Sequence, residues 1–177
     1  MINYTTIEDT IYGVVQPILN CTTIFDRPNA PRPTERPYAT INVNNIRQLG
    51  REESDAPDGT GTCNVWAHYA LDVEFTAYGT GAKNTINRLQ FAFNKASVVD
   101  AFLAGELALV GHDNVLDLPQ IRDTIWEENS RFNATFHVRI ADTDEVGFIE
   151  HFTGTGSLLT GQDGNAITVP VDVDIAP

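Results

Sequence analysis

The sequence predicts an α+β subunit: a mostly antiparallel sheet with flanking helices, plus a long loop or hairpin and a C-terminal extension. Three observations carry that prediction. Residues 65–78, VWAHYALDVEFTAY, alternate apolar and polar side chains with no glycine or proline among them, which is the two-residue period of a strand. Residues 131–140, RFNATFHVRI, alternate in the same way and make a natural antiparallel partner. Residues 6–19, 80–94 and 98–103 carry apolar side chains at helical spacing, enough to cover one face of such a sheet.

Taken in order, Thr5 and Glu8 have the spacing of a capping box, and Ile7, Ile11, Val14, Val15 and Ile18 follow at helical intervals. Pro17 strains that helix or ends it early. A short strand at 23–25 precedes the proline-rich arm 26–37, DRPNAPRPTERP, whose four prolines fix φ and remove amide donors, so it should lie extended on a surface. Its Pro28-x-x-Pro31 spacing also fits an SH3 ligand, but the structural arm is the better account. Residues 38–43 alternate as a strand, with Tyr38, Thr40 and Asn42 opposite Ala39, Ile41 and Val43. The polar stretch 44–62, with Asp58-Gly59 near its end, is either a mobile loop or the tip of a long hairpin. So long a segment implies that it orders against a partner.

In the long strand, Val65, Ala67, Tyr69, Leu71, Val73, Phe75 and Ala77 form the core face. Trp66, His68, Ala70, Asp72, Glu74, Thr76 and Tyr78 form the other. Gly79-Thr80-Gly81 turns the chain, and Thr80 or Thr85 caps a helix running through Asn94 with Ile86, Leu89, Gln90 and Phe93 on one stripe. A second short helix at 98–103 stops at Gly105. Two short strands, 107–110 and 115–118, surround the turn at 111–114, and Pro119 marks an edge or exit. After a connecting element at 121–129 and the strand 131–140, residues 142–145 read as an acidic connection and 146–152 as a strand or helical turn. Beyond residue 153, segments 157–160 and 166–169 flank an Asp163-Gly164 hairpin turn, and 169–175 alternates as a strand without an evident partner, suited to dangling or to a neighbour's sheet edge. The chain thus divides into one α+β domain, 1–152, and a C-terminal hairpin or strand extension, 153–177.

The formal charge of −13, from 24 acidic and 11 basic residues, disfavours wrapping around nucleic acid, which needs surplus Lys and Arg. Cys21 and Cys63 match neither a metal pair nor a disulfide framework and should be free thiols. No secretory leader or membrane-spanning run is visible, so a cytoplasmic site of synthesis and no membrane partner are expected. The best catalytic group is His68, Asp72 and Glu74 on one strand face. A strand separates His68 from Asp72 by about 13 Å, too far to share one metal ion. His112-Asp113 and His137-x-Arg139 are isolated histidines beside charges, and no catalytic signature occurs. The expectation is therefore no enzyme, no catalytic residue, no metal and no cofactor, with a hydrolase using Asp72 and Glu74 as the distant alternative. Trp66, Tyr78 and Trp126 are aromatic groups off the core face, fit either to cover a second layer or to anchor an interface.

Several short motifs, in their order, resemble the neck or tail terminator proteins of tailed phages. They are Pro31-Arg32-Pro33, then Arg36-Pro37-Tyr38-Ala39-Thr40-Ile41-Asn42-Val43, then Phe75-Thr76-Ala77-Tyr78-Gly79, then Trp126-Glu127-Glu128 before Arg131-Phe132, and Ile149-Glu150 after an acidic turn. The resemblance spans 31–152. It implies a tail-terminator-like α+β subunit forming a homo-oligomeric ring, usually a hexamer, that caps the tail tube and meets the head–tail connector. It further implies a virion protein assembled in the host cytoplasm, with tube, connector and, where present, sheath as partners, and with DNA passing through unbound. Another head–tail adaptor or tail-completion factor is the alternative. By the resemblance Pro37, Tyr38, Tyr78, Gly79, Trp126 and Glu127 are structural or subunit-contact positions. Adding Asp58 and Gly59 from the polar tip and Trp66 from the strand completes the candidate contacts, with 44–62 expected to reach an axial partner.

Overall fold

The computed structural model describes residues 4–122, 124–147, 151–160 and 165–174. Helix α1 (Tyr4–Leu19) buries Ile7, Ile11, Val15 and Leu19, one residue per turn along a single stripe. Thr5 lies inside the helix rather than capping it, and Pro17 sits within its last turn. There the amide that proline lacks would have bonded the carbonyl of Gly13, so the helix loses one bond near its end and still runs to Leu19.

Strand β1 (Thr22–Phe25) leads through the arm to β2 (Tyr38–Ser54), which it pairs in parallel. Strand β3 (Thr62–Tyr78) follows, then helices α2 (Ala82–Ala92) and α3 (Ala96–Ala104). Strands β4 (Leu107–His112) and β5 (Leu116–Asp117) come next, then the hairpin β6 (Gln120–Arg122) and β7 (Ile125–Glu127), then β8 (Asn129–Glu145). The principal sheet has the order β1-β2-β3-β8-β4, with β5 also on β8. β4 and β5 both pair antiparallel with β8. Residues 113–115 thus carry the chain from one segment of the β8 edge to the next, and Gly111 and His112, expected in the turn, are paired in β4 instead.

By its contacts the chain forms two compact units, residues 1–52 with 66–140, and residues 53–65 with 141–177. In the first, the buried residues of α1 join Ile86 and Leu89 of α2 and Phe102 of α3 over Ile41, Leu71, Val73, Phe75, Leu107, Phe132 and Phe136 of the sheet. Phe93 is at the centre, its ring meeting Phe75, Phe102, Phe132 and Phe136 at centroid distances of 5.4 to 6.2 Å, all edge-on. Edge-to-face contacts satisfy the ring quadrupoles in addition to burying area. Neither Thr80 nor Thr85 caps α2. Gly81 occupies the cap, and the Glu128 carboxylate accepts its amide at 2.8 Å, placing a negative charge at the helix N-terminus.

The alternation of β3 holds for Ala67, Leu71, Val73, Phe75 and Ala77, which are buried, but Ala70 and Thr76 on the opposite face are buried as well. Likewise Tyr38, Ala39, Thr40 and Ile41 are all buried, so the start of β2 is covered on both faces. Residues 44–62, expected as either a mobile loop or the tip of a long hairpin, are largely strand: β2 continues to Ser54 and β3 begins at Thr62, leaving 55–61 as the tip.

The second unit contains that tip. Asp58 organises it, its carboxylate accepting the amides of Thr60 (2.8 Å) and Thr62 (3.1 Å) and the Thr60 hydroxyl (2.6 Å). Gly61, at φ 79°, donates no side chain to a tight crossing: a Cβ there would lie 2.8 Å from the Gly147 Cα, and the Gly61 carbonyl accepts the amides of Val146 and Gly147. Residues 142–145, expected as a connection, are the end of β8. Strands β9 (His151–Thr160) and β10 (Asn165–Asp174) form a regular antiparallel hairpin, so Val169–Asp174 has its partner in Phe152–Gly156 and His151 rather than dangling. Asp163-Gly164 and residues 148–150 lie outside the described residues.

Candidate partner-binding surface

The arm 26–37 is basic where the chain as a whole is acidic: three arginines stand against Asp26 and Glu35. Its arginines tie it to itself and to the rest of the first unit. Arg27 pairs with Glu8, and Arg32 Nη2 donates to Asp26 at 2.8 Å. Arg36 Nε donates to Glu127 Oε1 at 2.6 Å, its Nη1 donates to the Pro33 carbonyl, and its guanidinium lies 4.5 Å over the Tyr38 ring. The Arg36–Pro37 peptide is cis.

Tyr38, 2% exposed, stacks on Tyr78 with centroids 4.9 Å apart. The Arg32 guanidinium lies over the Tyr78 ring, 6.0 Å from its centroid. Burial pushes the Tyr78 phenol above its ordinary pKa, partly offset by the neighbouring Arg32 charge. Gly79 (φ 92°) lets the chain leave β3 beside the arm, since a Cβ there would lie 2.9 Å from Arg36 Cβ and Cδ. Its amide donates to the Glu128 carbonyl. Arg32, Tyr38, Tyr78, Gln120 and Ile121 together line a cavity of about 300 Å³.

Beside it stands the two-stranded β6–β7 hairpin, in which Ile121 and Trp126 are direct cross-strand partners. Paired residues share a face, and these two are 64% and 68% exposed. The result is a pocket offering guanidinium, phenol and carboxamide groups beside an exposed aliphatic–indole pair, the residue types that dominate interface energetics.

Of the expected contacts, the structure brings Pro37, Tyr38, Tyr78, Trp126 and Glu127 into this region. Tyr38 is spent inside the subunit, and Glu127 is engaged by Arg36, so neither offers a partner much surface. Trp66 is elsewhere in the first unit, half-buried under the Arg139 guanidinium at 5.0 Å. Asp58 and Gly59 are in the tip of the second unit. Gln120 and Ile121 are not among the sequence candidates, and Arg32 enters there only within the Pro31-Arg32-Pro33 motif. The available signal was the Arg-x-x-x-Arg spacing within the proline arm.

The catalytic alternative finds its carboxylates occupied. Asp72 accepts the Thr135 hydroxyl at 2.9 Å and Asn45 Nδ2 at 3.4 Å, and Glu74 accepts Arg131 Nη1 at 2.9 Å. His68 is exposed. Among the described residues no group of three or more His, Cys, Asp or Glu is placed to hold a metal ion.

These features define a class: an α+β subunit with a mostly antiparallel sheet and three helices. The family of phage neck terminator proteins matches residues 5–161, and the chain belongs to that family, making it a structural protein of the phage tail or neck. No curated protein matches the chain. Among solved structures, it is similar to a sheath/tube terminator of the PVC extracellular contractile injection system in its extended state. The identity is 10% and the TM-score 0.49, with 93% of this chain and 66% of that chain covered. The chain thus spans just under two thirds of that protein.

Proposed function

We propose that the chain assembles as a closed homo-oligomeric ring, with six subunits, that terminates the tail tube and joins the tail to the head–tail connector. The match of residues 5–161 to the phage neck terminator family is the observation that carries this reading. Physical chemistry supports it in two ways. A closed ring needs two different patches that meet on successive subunits, and the arginine–tyrosine pocket with its Ile121–Trp126 rim is a strong candidate for one of them. A net charge of −13 would let DNA pass through a lumen without adhering to it.

The test is native mass spectrometry and electron microscopy of the purified protein, alone and with tail tubes. Six-subunit rings on tube ends are expected. Protein that remains monomeric in both settings and leaves tube ends bare would overturn the proposal.

A further inference from the structure

We infer that the Arg32 pocket and the β6–β7 hairpin of one subunit receive the acidic end of the second unit of the next copy, residues 53–58 together with 141–145. The inference rests on the ring reading and assigns its interface. Four observations lead to it.

The pocket is a receptor for an acidic segment. Arg32 spends Nη2 on Asp26, while a guanidinium has five donors. The Tyr78 phenol and the Gln120 amide line the same 300 Å³ space, and each can serve a carboxylate. Ile121 and Trp126 supply apolar anchorage at its edge, exposed far beyond what subunit stability needs.

The same chain carries the complement. Residues 53–58, ESDAPD, hold three acids and no base, and residues 141–145, ADTDE, hold three acids and no base. Both segments are exposed throughout. They are held side by side within the second unit, because the Gly61 carbonyl accepts the amides of Val146 and Gly147.

The tip is also pre-ordered. Asp58 and Asp55 fix its backbone through Thr60, Thr62 and Asn64, so docking costs little ordering entropy. Finally, receptor and ligand are different patches of one chain, which is the requirement for a head-to-tail interface that closes. Charge complementarity within a single sequence therefore favours a second copy over the axial partner expected for this segment.

The experiment places a photo-crosslinking residue at Ile121 in the full chain and maps the product by mass spectrometry, with native mass spectrometry of the wild type beside it. Crosslinks from Ile121 to peptides containing 53–58 or 141–145 of a second copy are expected. Trp126→Ala should weaken assembly about thirtyfold per interface while leaving the melting temperature of the isolated subunit unchanged. Arg32→Glu should block assembly, and mixing it with Asp144→Lys/Glu145→Lys subunits should restore mixed rings.

Rings that form normally in the Trp126→Ala and Arg32→Glu variants, or Ile121 crosslinks confined to other segments, overturn this interface and leave the ring reading standing. Wild-type protein that never oligomerises overturns both.

Discussion

Arg36 joins the arm to the sheet, and its removal is the most informative single perturbation of the first unit. Its Nε donates to Glu127 at 2.6 Å, Nη1 donates to the Pro33 carbonyl, and the guanidinium covers Tyr38 at 4.5 Å. A hydrogen bond to a charged group contributes about 1.5–3 kcal/mol. With the Arg36 and Glu127 side chains 27% and 12% exposed, solvent screening puts this one at the lower end. The cation–π contact adds about 0.5–1 kcal/mol. Arg36→Ala should thus cost about 2–3 kcal/mol, and for a chain of this size lower the melting temperature by about 5–10 °C. Arg36→Lys keeps the charge but loses the planar fork and the stacking, so it should recover less than half of that loss. The assay is urea unfolding followed by near-ultraviolet circular dichroism, which reports the Tyr38–Tyr78 stack, with Glu127→Gln completing a double-mutant cycle. A coupling of about 1 kcal/mol or more is expected. An alanine variant within about 0.5 kcal/mol of wild type, the range of ordinary surface changes, would refute the reasoning.

Other substitutions test other parts. Phe93→Ala removes the ring that four phenylalanines pack against edge-on and should cost about 3–5 kcal/mol by chemical denaturation; a loss below about 1 kcal/mol would show that the core collapses around the gap. Gly79→Ala forces a side chain into φ 92° and against Arg36, for a loss of about 2 kcal/mol or more, and the double variant with Arg36→Ala should lose less than the sum. The tip should respond to acid in a definite direction. Asp55 is held below its ordinary pKa by the Asn64 side chain and amide, and Asp58 by the Thr60 hydroxyl and the Thr60 and Thr62 amides. Their contribution is therefore complete above the unfolded carboxylate value of about 3.9 and lost as pH falls through the depressed folded values. Amide resonances of Thr60, Thr62 and Asn64 should hold at pH near 4 and move only below it, and midpoints at or above the unfolded value would contradict the hydrogen bonds.

Periodicity made the hydrophobic half of this fold legible. The stripe Ile7, Ile11, Val15 of α1 and the alternation of Phe132, Ala134, Phe136 and Val138 in β8 are direct consequences of burial on one side. What escaped was structure without a buried face to write a pattern. Residues 44–54 are strand, yet Asn44, Asn45, Arg47, Gln48 and Gly50 are exposed, so no core selects their composition and they read equally as a mobile loop or the tip of a hairpin. The end of β8, ADTDE, was hidden by the same cause. The pocket was illegible for another reason. Its lining comes from positions 32, 38, 78 and 120–121, segments that only strand pairing and the path of the arm bring together. The resemblance to terminator proteins had pointed at Tyr38, Tyr78 and Glu127, and their importance is now physical: they hold the stack and the ion pair that position Arg32 and the hairpin.

The polar face of β3 then has a role that neither catalysis nor partner binding supplies. Long strands with one apolar face are vulnerable to slippage, because a shift of one residue exchanges the faces and a shift of two preserves the alternation while misplacing every contact. Apolar side chains resist the first error strongly and the second weakly, since Leu71, Val73 and Phe75 differ only in shape. The Glu74–Arg131 and Asp72–Thr135 contacts resist the second, because each is a distinct donor–acceptor match between β3 and β8, and Asn45 extends the Asp72 match to β2. Displacing β3 by two residues would set Asp72 where Glu74 meets Arg131 and leave a partly buried group unmatched, at about 1–3 kcal/mol for each unsatisfied partner. The carboxylates that looked most like an active site are better explained as the groups that fix the register of the sheet, and Asp72→Asn should preserve assembly while Asp72→Leu/Glu74→Leu broadens the β3 and β8 amide resonances.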